Sequence, residues 1–546
     1  MSIIAFTKKT IWRTLILFVL ILTSCESQQT QSLPTLKIPT NPFVLTLTPE
    51  KTLPTKQTPT LTQEVSPVPL PNHSVVGECN LDQQAAAMQP DQKAELQKLD
   101  INACYNLQLS LSPNQYTYTG SETLTYHNNS GRNLPFIVLR TYPNASVGFG
   151  GSLEITRSSV DGTTVLPKNM LPDNTAIQIQ PEKPIPANST VQIQLEFTGK
   201  IPKDFNSKDV YGIFGWSDPG PVIALADWFP ILAGWENNDW VVSPVLSIGD
   251  AVVSNVAIYQ VNVSLPEAWK LAATGSETKT SSNGGITIHT IVSGPVRDFA
   301  ISASPNFSVK EEQVNNIRVR LWGLPGTENA WSKALDVAKK SVSTFTQRFG
   351  EYPYAELDIV TVPLQNADGD EFPGLVYTRS GLYINNGSNS YFSTVISHEI
   401  SHQWWYGVIG SDVLSSPWQD ESLATYSALL YFDLYSPSEY AGELTYYNQR
   451  LNIFEKANGK QFISNPVSAF SNNDKAYTIT IYFKGSLFLV ELHKQLGDEL
   501  FFKALQTYYQ KNQYTLASPD TLLGAFQQTC SCDLKEIYHN WGLVAR

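Results

Sequence analysis

Polar and apolar residues alternate in short runs from about residue 104 to residue 310. The clearest runs are YNLQLSLS (105–112), YTYTGSETLTYH (116–127) and TVQIQLEFTG (190–199), and clusters of Gly, Pro, Asn and Asp separate the runs. An alternation of period two places successive side chains on opposite faces of a strand, and such clusters are typical of turns. The pattern predicts an N-terminal β-rich domain, which we place at residues 79–308.

The period of the pattern changes after residue 326. TENAWSKALDVAKKSVSTFTQRFG (327–350) carries apolar residues at helical spacing and ends at a glycine, whereas AELDIVTVPL (355–364) is typical of a strand. Beyond residue 390 the spacing is mostly helical. We therefore expect a second domain at 309–546 that is mixed at first and then mainly α-helical.

The beginning of the chain has the pattern of a targeting segment. Two lysines and an arginine precede the apolar run TLILFVLIL (14–22), which is too short for a comfortable membrane span, and LTSC (22–25) follows at once. The order of LTSC resembles the bacterial lipobox, whose cysteine is acylated and becomes the first residue. We expect a lipoprotein signal peptide at 1–25 and a lipid on Cys25, with an ordinary secretory signal as the alternative. The predicted location is extracytoplasmic, anchored to a bacterial cell membrane or envelope.

Residues 26–78 are rich in Thr, Pro, Ser and Gln and contain few large apolar side chains. Such a segment cannot bury enough surface to offset the entropy lost on ordering. It is predicted to be a disordered stalk between the lipid and the folded domains. At ~3 Å per residue, an extended stalk would reach roughly 150 Å.

Four cysteines remain besides Cys25, and an exported protein can pair them in three ways. These are Cys79, Cys104, Cys530 and Cys532. We favour Cys79 with Cys104, because this bridge would tie a segment of helical composition to the strand that begins at Tyr105. The CSC pair could close on itself or stay reduced. Neither pair has CxxC spacing, so zinc binding by cysteine is not predicted.

Charge disfavours nucleic acid as a partner. The 546 residues include 37 Lys and Arg against 49 Asp and Glu, a net charge of −12, and the basic residues form no stripe or tail. With 42% hydrophobic residues, the chain is long enough for two or three domains with cores of their own.

The segment SHEISHQWWYG (397–407) carries the clearest chemical pattern. On a helix, His398 and His402 lie one turn apart on the same face, so both imidazoles can reach one metal ion. Glu399 lies about 100° further around the helix, where its carboxylate can face a water on that metal. A helix with two buried histidines is the alternative interpretation.

A third ligand favours the metal interpretation. A catalytic zinc site takes three protein ligands and keeps one position open. Glu421 follows His402 after eighteen intervening residues, in SSPWQDESLATYSALLYFDLY (415–435). This segment has the pattern of a helix with Ser416 as N-cap and Pro417 at the first helical position. The sequence thus predicts one Zn²⁺ per chain, held by two histidines and a glutamate.

HExxH followed by eighteen residues and Glu resembles the gluzincin aminopeptidases, the aminopeptidase N family that also includes leukotriene A4 hydrolase. WQDES (418–422) is similar to the family's Trp-x-Asn-Glu-Gly, with Asp420 in place of Asn. RDFAISASPNF (297–307) and FGEYPYAELDIVTVP (349–363) resemble its domain junction and the start of its catalytic domain. The resemblance covers roughly residues 100–546. It implies a β-saddle-like antiparallel domain followed by a thermolysin-like, mostly helical catalytic domain.

The resemblance also implies roles for two further segments. YFKGSLFLVEL (482–492) is similar to the family's Tyr-x-Lys-Gly, whose tyrosine assists catalysis, and this implies that role for Tyr482. GDEFPG (369–374) corresponds to Gly-x-Met-Glu-Asn, with Glu371 retained. In the family that glutamate binds the free N-terminus of the substrate; a plain surface or N-capping glutamate is the alternative. Tyr477 could line the substrate pocket or belong to the core.

Taken together, these patterns predict a zinc metallopeptidase, most simply an aminopeptidase that acts on peptide substrates outside the cytoplasm. Only residues 483–546 follow Tyr482, so we expect the C-terminal helical domain that roofs the cleft in many relatives to be missing. An endopeptidase with the same zinc site in an open cleft is one alternative. A non-catalytic zinc-containing surface protein is another.

Overall fold

A computed structural model of the chain describes residues 81–203, 212–217, 220–384, 387–471 and 473–543. The predicted signal peptide (1–25), the predicted stalk (26–78) and the cysteines Cys25 and Cys79 lie outside the described residues. The two predicted domains fall almost wholly within them, and the boundary between the domains stays a prediction.

The N-terminal part of the described chain is built of two short helices and many strands. The helices are α1 (Leu81–Gln84) and α2 (Lys93–Leu96). The strands are β1 (Ala103–Ser112), β2 (Thr117–His127), β3 (Ile137–Arg140), β4 (Ser152–Val160), β5 (Thr163–Thr164), β6 (Lys168–Asn169), β7 (Ala176–Ile179), β8 (Thr190–Lys200), β9 (Phe214–Ser217), β10 (Val222–Leu225), β11 (Ile231–Leu232), β12 (Trp235–Glu236), β13 (Asp239–Trp240), β14 (Ile258–Pro266), β15 (Lys270–Ala273), β16 (Ser276–Asn283), β17 (Ile286–Val292) and β18 (Ile301–Ser304).

The largest sheet has eight strands in the order β16-β17-β14-β1-β2-β8-β4-β5. Two four-stranded sheets, β15-β18-β10-β9 and β11-β3-β7-β6, accompany it. Burial alternates along β1 and β8, because one face of each strand packs on the core and the other meets water. The predicted antiparallel β domain is confirmed, with one departure: β1 and β14 pair in parallel.

The second part of the chain begins with a five-stranded sheet of order β19-β20-β21-β23-β22. Its strands are β19 (Ser308–Val314), β20 (Ile317–Gly323), β21 (Glu356–Val362), β22 (Gly369–Phe372) and β23 (Leu375–Arg379). Its helices are α3 (Trp331–Arg348), α4 (Ser390–Ser401), α5 (Trp418–Tyr435), α6 (Pro437–Asn458), α7 (Asp474–Tyr477), α8 (Gly485–Asn512), α9 (Pro519–Cys530) and α10 (Lys535–Trp541). The predicted mixed, then mostly helical domain is confirmed.

Helix α5 lies at the centre of the helical part. All its residues from Trp418 to Phe432 are buried, so no face of this stretch meets water. The predicted N-cap Ser416 is wrong, because α5 begins at Trp418 and has no side-chain cap. Asp412 organises the preceding turn instead. Its carboxylate accepts hydrogen bonds from the backbone N–H of Leu414 (3.0 Å) and Ser415 (3.1 Å).

The helix that carries the HExxH pattern does not extend through the whole segment 397–407. Helix α4 ends at Ser401, and a π-helical segment (Gln403–Val408) follows. The Gln403 side chain donates to the Phe372 carbonyl (3.0 Å) and accepts from the Gly374 N–H (2.7 Å). These contacts hold the segment against the β22–β23 hairpin, which sequence period alone does not reveal.

The described cysteines are paired. Cys530 and Cys532 form a disulfide with each other. Cys104 is also disulfide-bonded, and its predicted partner Cys79 lies outside the described residues. Across the described ranges, no helix combines the length and the apolar character needed to cross a membrane.

Candidate metal centre and catalytic cleft

Helix α4 carries the HExxH pattern and is fixed at both ends. The Asn389 side chain caps its first turn by accepting from the Phe392 N–H at 3.1 Å. The Ser341 hydroxyl of α3 donates to Ser397 at 3.0 Å, beside the first histidine. His398 and Glu399 therefore lie on a helix that is anchored near both ends, and His402 lies at its C-cap.

His398, His402 and Glu421 bring three ligand atoms together, within 4.8 Å of one another. The Nε2 atoms of the two histidines are 3.1 Å apart. Glu421 Oε2 lies 3.1 Å from His398 Nε2 and 3.6 Å from His402 Nε2. Two imidazoles and one carboxylate from two helices are the donor set of a catalytic zinc site. The predicted ligands thus converge, and their chemistry fits a zinc ion.

Asp420 fixes the orientation of one ligand. Its Oδ1 lies 2.6 Å from His402 Nδ1, which makes Nδ1 the protonated nitrogen and leaves Nε2 free to bind a metal. Burial lowers the pKa of His402, but the carboxylates of Asp420, Glu421 and Glu399 outweigh it and raise that pKa to about 10. A metal ion at this site must therefore compete with a proton on His402.

Glu399 lies in the wall of the same cleft and is 7% exposed. Burial, together with the charge of Glu421, raises the pKa of the Glu399 carboxyl well above its usual range. Gly369 on β22 makes room for this carboxylate, because a Cβ at Gly369 would overlap its atoms. A raised pKa suits a residue that accepts and returns protons near neutral pH.

Tyr482 reaches the site from a π-helical segment (Thr478–Lys484) that precedes α8. Its hydroxyl donates to Glu421 Oε1. The segment is held in place by the Ser422 hydroxyl, which donates to the Ile481 carbonyl at 2.7 Å. Gly485 provides the space for Ser422, because a Cβ there would overlap the serine side chain. The tyrosine predicted to assist catalysis thus lies beside a predicted metal ligand.

Glu371 and Tyr477 also lie in this cleft. Glu371 is on β22, and its Oε1 is 4.0 Å from His402 Nδ1. The alternative of a surface or N-capping glutamate does not fit this position. Tyr477 is buried and also lines the cleft, so it fits both predictions, that of a pocket-lining residue and that of a core residue. Its hydroxyl has no hydrogen-bond partner among the described residues.

The cleft has a volume of about 990 Å³ and is strongly acidic. The carboxylates that line it are Asp250, Asp368, Asp370, Glu371, Glu399, Glu421, Glu443 and Asp474. Of the described residues that line it, none is a lysine or arginine. Positively charged groups are therefore favoured in the cleft.

Two contributions to the site were not found from the sequence. Asp250 comes from an irregular stretch of the N-terminal part, where no periodic pattern marks it. Arg297 is buried and donates to the carbonyls of Tyr406 (2.7 Å) and Val408 (3.2 Å) in the π-helical segment after α4. In the sequence, Arg297 was noted only as the first residue of the segment 297–307, which resembles a domain junction. Both residues act across a long sequence separation, and no local signal identified them.

Comparison with known proteins agrees with this geometry. Residues 333–541 match the Peptidase family M1 domain. Aminopeptidase 2 of Candida albicans is 25% identical over 237 residues, which are 41% of this chain and 25% of that protein. Aminopeptidase N of Lactobacillus delbrueckii subsp. lactis is 25% identical over 225 residues, 39% of this chain and 27% of that protein. The matched segment thus spans about a quarter of each relative's length.

The fold extends the similarity beyond the matched domain. The crystal structure of an M1 zinc metallopeptidase from Deinococcus radiodurans has a TM-score of 0.60 at 18% identity, covering 82% of this chain and 95% of that chain. The chain shares the fold of that structure, and its donor set of two histidines and one glutamate is that of a catalytic zinc site. The sequence similarity to the Peptidase family M1 domain is confined to residues 333–541.

Proposed function

We propose that the protein is a zinc-dependent aminopeptidase that removes N-terminal residues from peptides. One observation carries the proposal: Glu399 faces the same cleft in which His398, His402 and Glu421 converge. A binding protein would need the three ligands but no general base beside them. The relatives named aminopeptidases, which match over the helical domain, support the same reaction class.

In this mechanism His398, His402 and Glu421 would hold Zn²⁺. When bound, the ion supplies a Lewis acid that polarises the scissile carbonyl and lowers the pKa of a water toward ~7. Glu399 accepts the proton of the attacking water and returns it to the leaving amine. Its carboxylate lies in the wall of the cleft that His398 and Glu421 also line.

Tyr482 would donate its hydroxyl to the carbonyl oxygen as negative charge develops on it. In the structure this hydroxyl donates to Glu421, so it must exchange one acceptor for the other when substrate is present. Burial and the nearby Glu421 carboxylate raise the pKa of Tyr482 well above its ordinary value, which keeps the hydroxyl protonated as a donor. Glu371 would bind the free N-terminus of the peptide, and Tyr477 would line the pocket beside it.

A mixed peptide pool tests the reaction. The zinc-loaded full chain is incubated with peptides of which half carry acetylated N-termini, and the products are read by mass spectrometry. Stepwise loss of single N-terminal residues from the free peptides alone is expected. Internal cuts in both halves would instead indicate an endopeptidase, and no cuts at all would favour a zinc-containing binding protein.

The matched control for this experiment is Glu399→Gln. We expect a loss of at least about 100-fold in kcat, as for removal of a general base, while one zinc per chain stays bound by elemental analysis. Activity retained by this variant would contradict the role given to Glu399.

We also propose, from the sequence alone, that Cys25 is acylated and anchors the protein outside the cytoplasm. Labelled palmitate supplied to a bacterial host should enter the intact chain and not a Cys25→Ala variant, and only the intact chain should fractionate with membranes. An unlabelled protein found in the soluble extracytoplasmic fraction would support the ordinary secretory signal instead.

A further inference from the structure

The disulfide between Cys530 and Cys532 lies outside the zinc centre and has no part in the chemistry proposed for it. Neither cysteine is among the described residues that line the catalytic cleft. Cys530 is the last residue of α9, and α10 begins at Lys535. The bridge therefore spans a sequence separation of 2 and encloses a single residue, Ser531, in the turn between the two helices.

So small a ring is a weak structural staple. A disulfide stabilises a fold mainly by restricting the unfolded chain, and this effect grows with the number of residues in the closed loop. The turn is already held without the two sulfurs. Leu534 is 1% exposed, and the Tyr538 hydroxyl of α10 donates to the Leu523 carbonyl of α9 at 2.9 Å. The packing of α9 against α10 thus does not require the bridge.

The backbone inside the ring is strained. Ser531 has φ +52° and ψ +35°, in the left-handed region that favours glycine and is unfavourable for a serine. Strain of this kind persists where the surroundings impose it, and here the ring closes directly across Ser531. Opening the ring would allow Ser531 to return to ordinary backbone angles. The backbone therefore favours the reduced form of the pair.

The two sulfurs of the bridge differ in accessibility. Cys532 is exposed, whereas Cys530 is partly buried at the end of α9. An external thiolate can therefore reach the sulfur of Cys532, and Cys530 is the sulfur that leaves. The Cys532 backbone N–H donates to Cys530 Sγ at 3.2 Å, which supports negative charge on that sulfur as the bond breaks. The C-terminal end of α9 disfavours a lasting thiolate there, so the released sulfur takes up a proton.

Cys104 provides a contrast within the same chain. It is also disulfide-bonded, but it is 1% exposed. Leu96, Ile101 and Ile258 form a small apolar core with it. A thiolate cannot approach this sulfur in the folded protein, so its disulfide can exchange only when the region opens. Exposure thus separates the Cys530–Cys532 bridge from a structural disulfide of the same protein.

We propose that the Cys530–Cys532 bridge is a thiol-exchange site, at which an external thiol modifies the protein reversibly. A thiolate attacks Cys532 Sγ and forms a mixed disulfide with it. The Cys530–Cys532 bond breaks, and its electron pair passes to Cys530 Sγ, which takes a proton from water. A second thiolate then attacks the external sulfur of the mixed disulfide and releases Cys532 as a thiol. Two external thiols are thereby oxidised to one disulfide, and the bridge is reduced to two thiols.

The external thiol can belong to a small molecule or to another protein, because the same exchange chemistry serves both. Oxidation by an external disulfide runs the same steps backwards and restores the bridge. Neither the exchange nor its test depends on the proposed peptidase activity.

The test compares the reactivity of the bridge with that of Cys104 in one sample. The zinc-loaded full chain, purified without reductant, is incubated with reduced glutathione. Free thiols are alkylated at timed intervals, and the peptides that contain the three cysteines are quantified by mass spectrometry. We expect Cys530 and Cys532 to be reduced at least about 100-fold faster than Cys104, because a buried sulfur reacts only after local opening. Equal rates, or free thiols at Cys530 and Cys532 before any treatment, would overturn the proposal.

Three variants test accessibility, strain and the structural alternative. Cys530→Ser leaves Cys532 as a single thiol, which should form a lasting adduct with oxidised glutathione; no adduct would overturn the proposal. Ser531→Gly removes the strain and should shift the glutathione equilibrium about threefold or more toward the closed bridge. Cys532→Ser should lower the Tm by no more than about 3 °C, because the ring restricts so little of the unfolded chain. A loss of more than about 10 °C would indicate a structural staple and overturn the proposal.

Reduced thioredoxin in place of glutathione distinguishes the two sources of the thiol. Faster reduction by glutathione, at equal thiol concentration, would indicate a small-molecule thiol, and faster reduction by thioredoxin would indicate a protein thiol. Either result supports the exchange site. Failure of both reagents to reduce the bridge in the folded protein would overturn it.

Discussion

At the scale of single residues, Gly369 sets where the Glu399 carboxylate lies. The carboxylate packs directly over the glycine, and a methyl group there would overlap it. We expect Gly369→Ala to lower kcat about 10- to 100-fold, because displacing a catalytic group by about 1 Å costs on this order. Zinc content by elemental analysis should not change, because Gly369 contacts the general base and not the ligands.

Gly381 provides the matched control for this substitution. A Cβ at Gly381 would meet nothing closer than 3.9 Å. Gly381→Ala should therefore keep the parent kcat within about twofold, an ordinary surface effect. Full activity in Gly369→Ala would show that Glu399 tolerates displacement and that its position is not set by β22.

At the residue scale, the sequence identified most of the side chains that the structure brings together in the cleft. The HExxH spacing places His398, Glu399 and His402 on one helix, and Glu421, predicted from the eighteen-residue spacing, converges with the two histidines in the structure. Asp250 could not be found in this way, because it enters the site from an irregular stretch about 150 residues earlier in the chain.

At the scale of elements, the helical spacing of residues in the sequence correctly located α4 and α5. It did not show where α4 ends. The π-helical segment after Ser401 is shaped by contacts from other elements, above all by the buried Arg297. That guanidinium also donates to the carbonyls of Ser254 (2.9 Å) and Thr515 (2.6 Å). The Arg297 side chain thus connects the N-terminal part, the π-helical segment after α4 and the stretch that follows α8.

We expect Arg297→Met to lower the free energy of unfolding by about 3 kcal/mol or more, because it leaves several buried carbonyls without a donor. The shift of the urea midpoint measures the loss. Arg157→Met is the control: its side chain is 74% exposed and pairs with Glu196, so its removal should cost about 1 kcal/mol or less. Similar shifts in both variants would mean that the buried hydrogen bonds of Arg297 contribute little.

At the scale of the whole molecule, the sequence predicted two domains in the right order but not the acidic groups between them. Asp227 and Asp298 of the N-terminal part are both 1% exposed. Burial raises the pKa of Asp227 well above its usual range, and the charges of Asp298 and of Asp370 on β22 raise it further. Tyr406, from the segment after α4, donates its hydroxyl to Asp298. Buried carboxyls where two domains meet make the stability of the assembly depend on pH.

Burial raises the pKa of Asp298 to about 7, although the Tyr406 hydrogen bond and Arg297 lower it. The folded state then holds a proton that the unfolded chain, with an ordinary pKa near ~4, has already released. Stability should therefore fall as the pH rises from about 4 to about 7, by up to about 1.4 kcal/mol per pH unit for this group, and level off above.

Asp298→Asn keeps an acceptor for the Tyr406 hydroxyl but cannot ionise, so it should flatten this part of the pH profile. We expect its Tm to exceed that of the parent at pH 8 and to approach it at pH 5, in zinc-free protein measured by calorimetry with chelator present throughout. Glu499→Gln, at an exposed position on α8, should leave the profile unchanged. A constant difference in Tm between Asp298→Asn and the parent across this range would place the proton elsewhere, because only a group that titrates in the folded state makes the difference depend on pH.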